Sequence, residues 1–116
     1  MRHISDNERR SRLAQRHAVA SASRVADPVA ATRAMTVLHA TEAASVHLSL
    51  WARTTDPTVT GFESSLYDSR ELVKQLAMRR TLFVTDRDLL PALWGSASAR
   101  VAGAELHGGL DELGDR

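Results

Sequence analysis

His39 and Thr41 are the side chains whose types and spacing best suit chemistry. They flank a small residue in Leu38-His39-Ala40-Thr41, a short polar break within the stretch Met35 to Arg53. The chain on either side of that break is apolar enough to be buried. An imidazole can give or take a proton near neutral pH, and a hydroxyl can donate or accept a hydrogen bond. Two such groups, one residue apart at a helix end, can share one water. A purely structural account is also open, in which His39 ends one helix and Thr41 caps the next. His47, beside Leu48 and near Trp51, reads as a partly buried core histidine rather than a ligand. His3, His17 and His107 show no metal-ligand spacing with it or with His39, and there is no cysteine, so no metal site is expected. No glycine-rich phosphate loop or Ser-His-Asp set is present, and no cofactor is expected.

The second possible chemistry is cationic. From Met1 to Arg33 seven arginines face Asp6, Glu8 and Asp27, a net +4, whereas the stretch from Ala104 onward is net −3. Arg9, Arg12 and Arg16 fall on one helical face, and Arg79-Arg80 separates two apolar runs. Of the 15 basic residues only Lys74 is a lysine. Arginine suits bidentate phosphate contacts, although heavy Ala and Arg usage can equally reflect genome composition. Both arginine groups have a plain reading as solvated surface and a functional one as phosphate contacts. Five aromatics are too few and too scattered for a single-strand stacking platform. Trp51 and Trp94 are expected in the core.

The elements that must position these residues follow from caps and periodicity. Ser5-Asp6-Asn7-Glu8 has the form of a capping box, which predicts a helix to about Ala18 with Asp6–Arg10 and Glu8–Arg12 pairs. Ala20 to Ala26 reads as a loop. Asp27-Pro28 starts a second helix with a stripe of Ala31, Ala34, Met35 and Leu38, ending near His39. Thr41 is the expected cap of a third helix, with Ala44, Leu48 and Trp51 on one face, closed by Asp56-Pro57. Thr60-Gly61-Phe62-Glu63 reads as another capping box, opening a short helix that ends by Ser69. Leu72 to Met78 and Thr81 to Val84 are rich in strand formers and predict a β-hairpin with Arg79 and Arg80 in its turn. A last helix opens between Thr85 and Asp88, is regular from about Leu89 because of Pro91, and ends at Gly103. It presents Leu89, Leu90, Leu93, Trp94, Ala97 and Val101.

At 116 residues one domain is expected, and no apolar run reaches the ~18 residues that span a bilayer. No secretory signal is visible at the N-terminus, and a cytoplasmic location is expected. Helices, then a hairpin, then a helix make an α+β, mostly helical class. The order is that of a winged helix, a helix-turn-helix variant with a β-hairpin wing, here with a C-terminal helix. The expected division is a domain over residues 1–103 and a disordered acidic tail over 104–116.

Specific residues also carry a family resemblance. Leu38-His39-Ala40-Thr41-Glu42, Leu48-Ser49-Leu50-Trp51-Ala52-Arg53, Leu72 through Leu82, and Asp88-Leu89-Leu90-Pro91 resemble, in order and spacing, the N-terminal part of the AlkZ/YcaQ-like winged-helix proteins. The resemblance covers roughly Ile4 to Gly103. It implies a DNA-binding role, since characterised members are DNA glycosylases that excise bulky alkylated or crosslinked bases. Their winged-helix domains come in tandem, so this chain is expected to be the first unit, a truncated member. The catalytic motif of two polar residues around a small one falls on His39 and Thr41, where the family has glutamine followed by glutamine or aspartate. Phe83 stands where many relatives have histidine. The implied chemistry needs a water held beneath the sugar and stabilisation of oxocarbenium character, because an alkylated base already carries positive charge and leaves readily.

Three functions are therefore expected to compete. The first is a module binding double-stranded DNA, through Arg79 and Arg80 and through Arg9, Arg12 and Arg16. The second is an active glycosylase using His39 and Thr41. The third is a non-catalytic regulator or dimeric interaction module. No membrane partner is expected.

Overall fold

Asp27 and Pro28 start the body of the fold. In a computed structural model, which describes residues 1–114, the Asp27 carboxylate accepts the Ala30 amide at 2.8 Å and Pro28 takes the first helical position. That cap opens α2 (Pro28–Met35). It is preceded by α1 (Asp6–Arg16) and a 3₁₀ turn at Ser21–Ser23. The helix α2 does not run to His39 as the sequence predicts. Thr36 has φ 71° and ψ −57°, values of a classic γ-turn, and throws the chain into β1 (Val37–His39). Leu38 remains buried as expected, but on a strand.

The strand changes the start of the next helix. α3 (Ala43–Trp51) is preceded by Glu42, with no side-chain cap, so Thr41 is not the cap predicted for it. Its buried residues are Val46 and Leu50, one turn apart. The predicted face of Ala44, Leu48 and Trp51 points outward, with Leu48 70% and Trp51 50% exposed. Val46, Leu48 and Leu50 alternate along the sequence, and periodicity alone does not say which of them is buried. The choice is made by Phe62, which is fully buried and packs with Val46 and Leu50 in the core, while the Trp51 ring meets its edge.

α4 (Val59–Glu63) continues as a wider π turn over Ser64–Asp68 and stops there, as predicted. Its cap is Thr58, whose hydroxyl accepts the Gly61 amide at 3.1 Å, and not Thr60. A Cβ at Gly61 would come within 2.7 Å of that hydroxyl, so the cap needs glycine there. Phe62 and Leu66, one turn apart, are the buried pair, and Val59 is exposed.

β2 (Leu72–Leu76) and β3 (Leu82–Asp86) form the predicted hairpin, and β1 joins β3 from the other side. The sheet is antiparallel throughout with order β1-β3-β2. Leu38, Val84, Leu82 and Leu72 face α2, α3 and α4, and this is where the core sits. The opposite face carries Gln75, which bonds to the C-terminal helix. That helical run begins with a 3₁₀ turn at Arg87–Leu89 and α5 (Leu90–Leu93), passes a π turn at Trp94–Ser98 and continues as α6 (Ala99–Gly114).

Two expectations about this run are corrected. Gly103 lies within α6 at a helical conformation, so the helix does not end there and residues 104–114 carry helix where a tail was predicted. The rest of the predicted tail, residues 115 and 116, lies outside the described residues. Of the expected apolar face only Leu93 is buried, and Trp94 is 54% exposed rather than core. A single strand face is too narrow to cover a helix of this length. The topology helix, strand, helix, helix, hairpin, with β1 and β2 flanking β3, is winged-helix-like, mostly helical and α+β. Among the described residues no helix is long and apolar enough to cross a membrane.

Candidate nucleic-acid interface

The hairpin tip holds two consecutive non-glycine residues at positive φ. Ala77 donates to Thr81 O at 3.0 Å, and Thr81 donates back to Met78 O at 3.1 Å. Arg79 (φ 56°, ψ 29°) and Arg80 (φ 56°) between them are both left-handed, the conformation of a type I′ turn. Such a turn suits the right-handed twist of a hairpin and normally takes Asn-Gly. Arginine at each position costs about 1 kcal/mol or more. The Thr81 hydroxyl donates to Arg79 O at 3.1 Å and steadies the loop. The outcome is two exposed guanidinium groups at the tip of a wing. Arg80 Nε–H donates to Glu105 of α6 at 2.8 Å.

The polar break lies at the root of this wing. The Ala40 amide donates to Leu82 O at 2.9 Å, which pins the break beside the hairpin. His39 is exposed, opposite Phe83 in register, with ring centroids 4.9 Å apart and tilted by 53°. Thr41 Oγ1 lies 3.4 Å from His39 Nδ1, a long contact. On the other side of Phe83 the register places Gln75. Its carbonyl oxygen accepts the Trp94 indole N–H at 2.9 Å, and its amide donates to Ser98 at 3.3 Å. His39, Phe83, Gln75 and Trp94 therefore form one row across the sheet and onto the C-terminal helix. Gln75 and Trp94 are members that the sequence reading missed. The strand alternation carried the signal, but only the register tells which residues are neighbours.

Arg9, Arg12 and Arg16 lie on a separate element. α1 buries none of its own residues. It is attached through Ala18, which is buried, and through Arg53, whose Nε–H donates to His17 O at 3.0 Å and whose Nη1–H donates to Ser49 O at 2.8 Å. Burial holds the Arg53 pKa below its ordinary value. On α1 the Ser5 hydroxyl caps the Glu8 amide at 3.2 Å as predicted. The Glu8 carboxylate does not complete the box; it accepts Arg2 at 2.7 Å and Arg12 at 2.6 Å. Asp6 pairs with Arg9 at 3.2 Å and not with Arg10. Ile4, Asp6, Arg9, Arg12, Leu13 and Arg16 line a shallow depression of about 350 Å³. Among the described residues no hydrogen bond or ion pair joins this group to the wing.

Two further features bear on electrostatics. α4, which holds the place of a winged helix's recognition helix, carries Glu63 in its span and Asp68 in the following turn, and no lysine or arginine. A groove of about 300 Å³ lies elsewhere, lined by Arg33, Thr36, Asp86, Asp88 and Leu89. Arg33 and Asp86 form an ion pair there, and Asp86 also accepts the Asp88 amide at 3.2 Å. Burial pushes the Asp86 pKa up, but Arg33, the Asp88 amide and the nearby Arg87 charge outweigh it and hold the carboxyl below its usual range. The same pairing raises Arg33. The groove's polar groups are already paired, so it reads as a brace between α2 and β3. His47 Nδ1–H donates to Ala43 O at 2.9 Å, and its Nε2 is buried without a hydrogen-bond partner, 4.0 Å from Glu63. Among the described residues no group of three or more His, Cys, Asp or Glu is placed to hold a metal.

The fold and its hairpin define a winged-helix-like α+β domain with a cationic wing. The model of a family described as DNA glycosylase AlkZ-like matches residues 32–115, most of the chain, and the protein belongs to that family. The match leaves α1 outside and takes in α6. Comparison with curated proteins and with solved structures finds no match.

Proposed function

We propose that this chain is a module that binds double-stranded DNA through the tip of its wing. The observation that carries the reading is the turn itself, where Arg79 and Arg80 are held outward in a conformation that glycine would adopt more cheaply. Family membership supports DNA as the target. The absence of lysine or arginine on α4 argues for backbone contacts by the wing rather than a cationic helix in the major groove. Arg9, Arg12 and Arg16 would add a second phosphate contact, on condition that Asp6 and Glu8 release Arg9 and Arg12. Titration of a labelled duplex tests this. Affinity should fall steeply with salt, and Arg79→Ala with Arg80→Ala should weaken binding and reduce the salt slope by about 2. Binding that survives both the double change and 0.5 M salt would sink the electrostatic account.

A second reading is favoured by one contact, that of Thr41 with His39 at the wing's root. There His39 would take a proton from a water directed at the sugar of an alkylated nucleotide, and Thr41 would orient the imidazole. Release of a 7-alkylguanine from duplex DNA, abolished by His39→Ala, is the expected result; no release at high protein concentration rules the reading out.

A further inference from the structure

We propose that the C-terminal helix is an autoinhibitory strap on the wing, in which Glu105 occupies Arg80 and DNA phosphate must displace it. The inference rests on the reading of the wing as the DNA contact. Its geometry is a line of three fastenings along one face of the helical run. Trp94 donates to Gln75 at 2.9 Å. One turn on, the Ser98 hydroxyl donates to Leu76 O at 2.7 Å and accepts from Gln75 at 3.3 Å. Two turns further, Glu105 accepts from Arg80 Nε at 2.8 Å. Steps of four and seven residues keep these groups on the same side of a helix. The run thus follows the hairpin from the last two residues of β2 to the tip and sets a carboxylate on the guanidinium.

The chemistry of the two partners makes this a competition. A carboxylate on an arginine presents the same paired oxygens as a phosphate diester. Arg80 and Glu105 are both more than half exposed, so the pair is cheap to open and biases the wing without locking it. Arg79 has no ion pair among the described residues and can meet DNA first. By reciprocity, DNA that captures Arg80 must loosen α6 by the same factor that α6 weakens DNA. Arg100, the one cation on α6, is exposed and makes no ion pair among the described residues, so Glu105 is the group that meets the wing.

A double-mutant cycle on the full chain tests the strap, with duplex binding read by fluorescence anisotropy at fixed salt. Glu105→Gln should tighten binding by about two- to fivefold, the worth of one exposed ion pair. In an Arg80→Ala background the same substitution should have no effect. The Arg80 Nε–Hε resonance of the DNA-free protein should shift on Glu105→Gln, as the carboxylate leaves the guanidinium. Unchanged affinity in Glu105→Gln, or an equal gain in the Arg80→Ala background, overturns the strap while leaving the wing reading intact. No wing-dependent binding by the wild type overturns both.

Discussion

Asp86 shows how a single carboxylate can join two elements. It ends β3, caps the turn that follows and holds Arg33 on α2. Its folded-state pKa lies below the ordinary carboxylate value. Its contribution to stability is therefore complete above that ordinary value and is lost as pH falls through it toward the folded one. Urea midpoints measured at neutral pH and below about pH 4 should show that loss in the wild type and a smaller one in Asp86→Asn. Asp86→Ala, which removes the cap as well, should cost about 1–2 kcal/mol at neutral pH. Sequence spacing shows Asp86 only as a residue near a helix start. Its partner is 53 residues away, so the pairing is invisible until α2 lies against β3. His39 and Thr41 stand differently. Their separation along the chain was legible, but their neighbours Phe83 and Gln75 were not.

At the scale of elements, the wing turn and the α4 cap carry opposite lessons. The hairpin was legible from its two apolar runs, yet its turn residues are the wrong ones for a type I′ turn. Replacing them with the expected pair, Arg79→Asn with Arg80→Gly, should stabilise the protein by about 1–2 kcal/mol and weaken duplex binding. Thermal unfolding and anisotropy on the same variant would show the two effects moving apart, and a variant both less stable and equally tight would contradict the assignment. For α4, Thr60 has the capping-box sequence with Glu63, yet the cap used is Thr58, with Gly61 at the third helical position. Thr58→Ala should lower stability by about 1 kcal/mol and Thr60→Ala by almost nothing, as read from urea midpoints.

At the scale of the molecule, the radius of gyration is 17.7 Å, against about 13 Å for a compact chain of this length. The excess fits helices at the two ends of the chain that extend from the core, α1, which buries nothing of its own, and the 16-residue α6. An isolated 11-residue helix is marginal in water, so α1 contributes little to the fold. Removing residues 1–12 should leave unfolding stability within about 1 kcal/mol, because Ala14, Ala18 and their bonds remain. The same deletion should make duplex binding weaker and its salt dependence shallower, since it removes Arg9 and Arg12. A large loss of stability would show that α1 packs on the body more closely than its exposure indicates.

The α+β class, the hairpin with its two arginines, the Asp27 and Ser5 caps and the family all follow from local pattern, because caps, turns and strand alternation act within a few residues. Tertiary structure alone decided three things. A left-handed Thr36 turned the end of a predicted helix into β1, since pairing with β3 outweighs continuing α2. Val46 and Leu50 joined Phe62 in the core, which left Leu48 exposed and Trp51 half-exposed with only its ring against Phe62. And α6 continued past Gly103 along the wing, where Glu105 found Arg80. Each is a contact between residues far apart in the chain, a distance over which sequence periodicity carries no information.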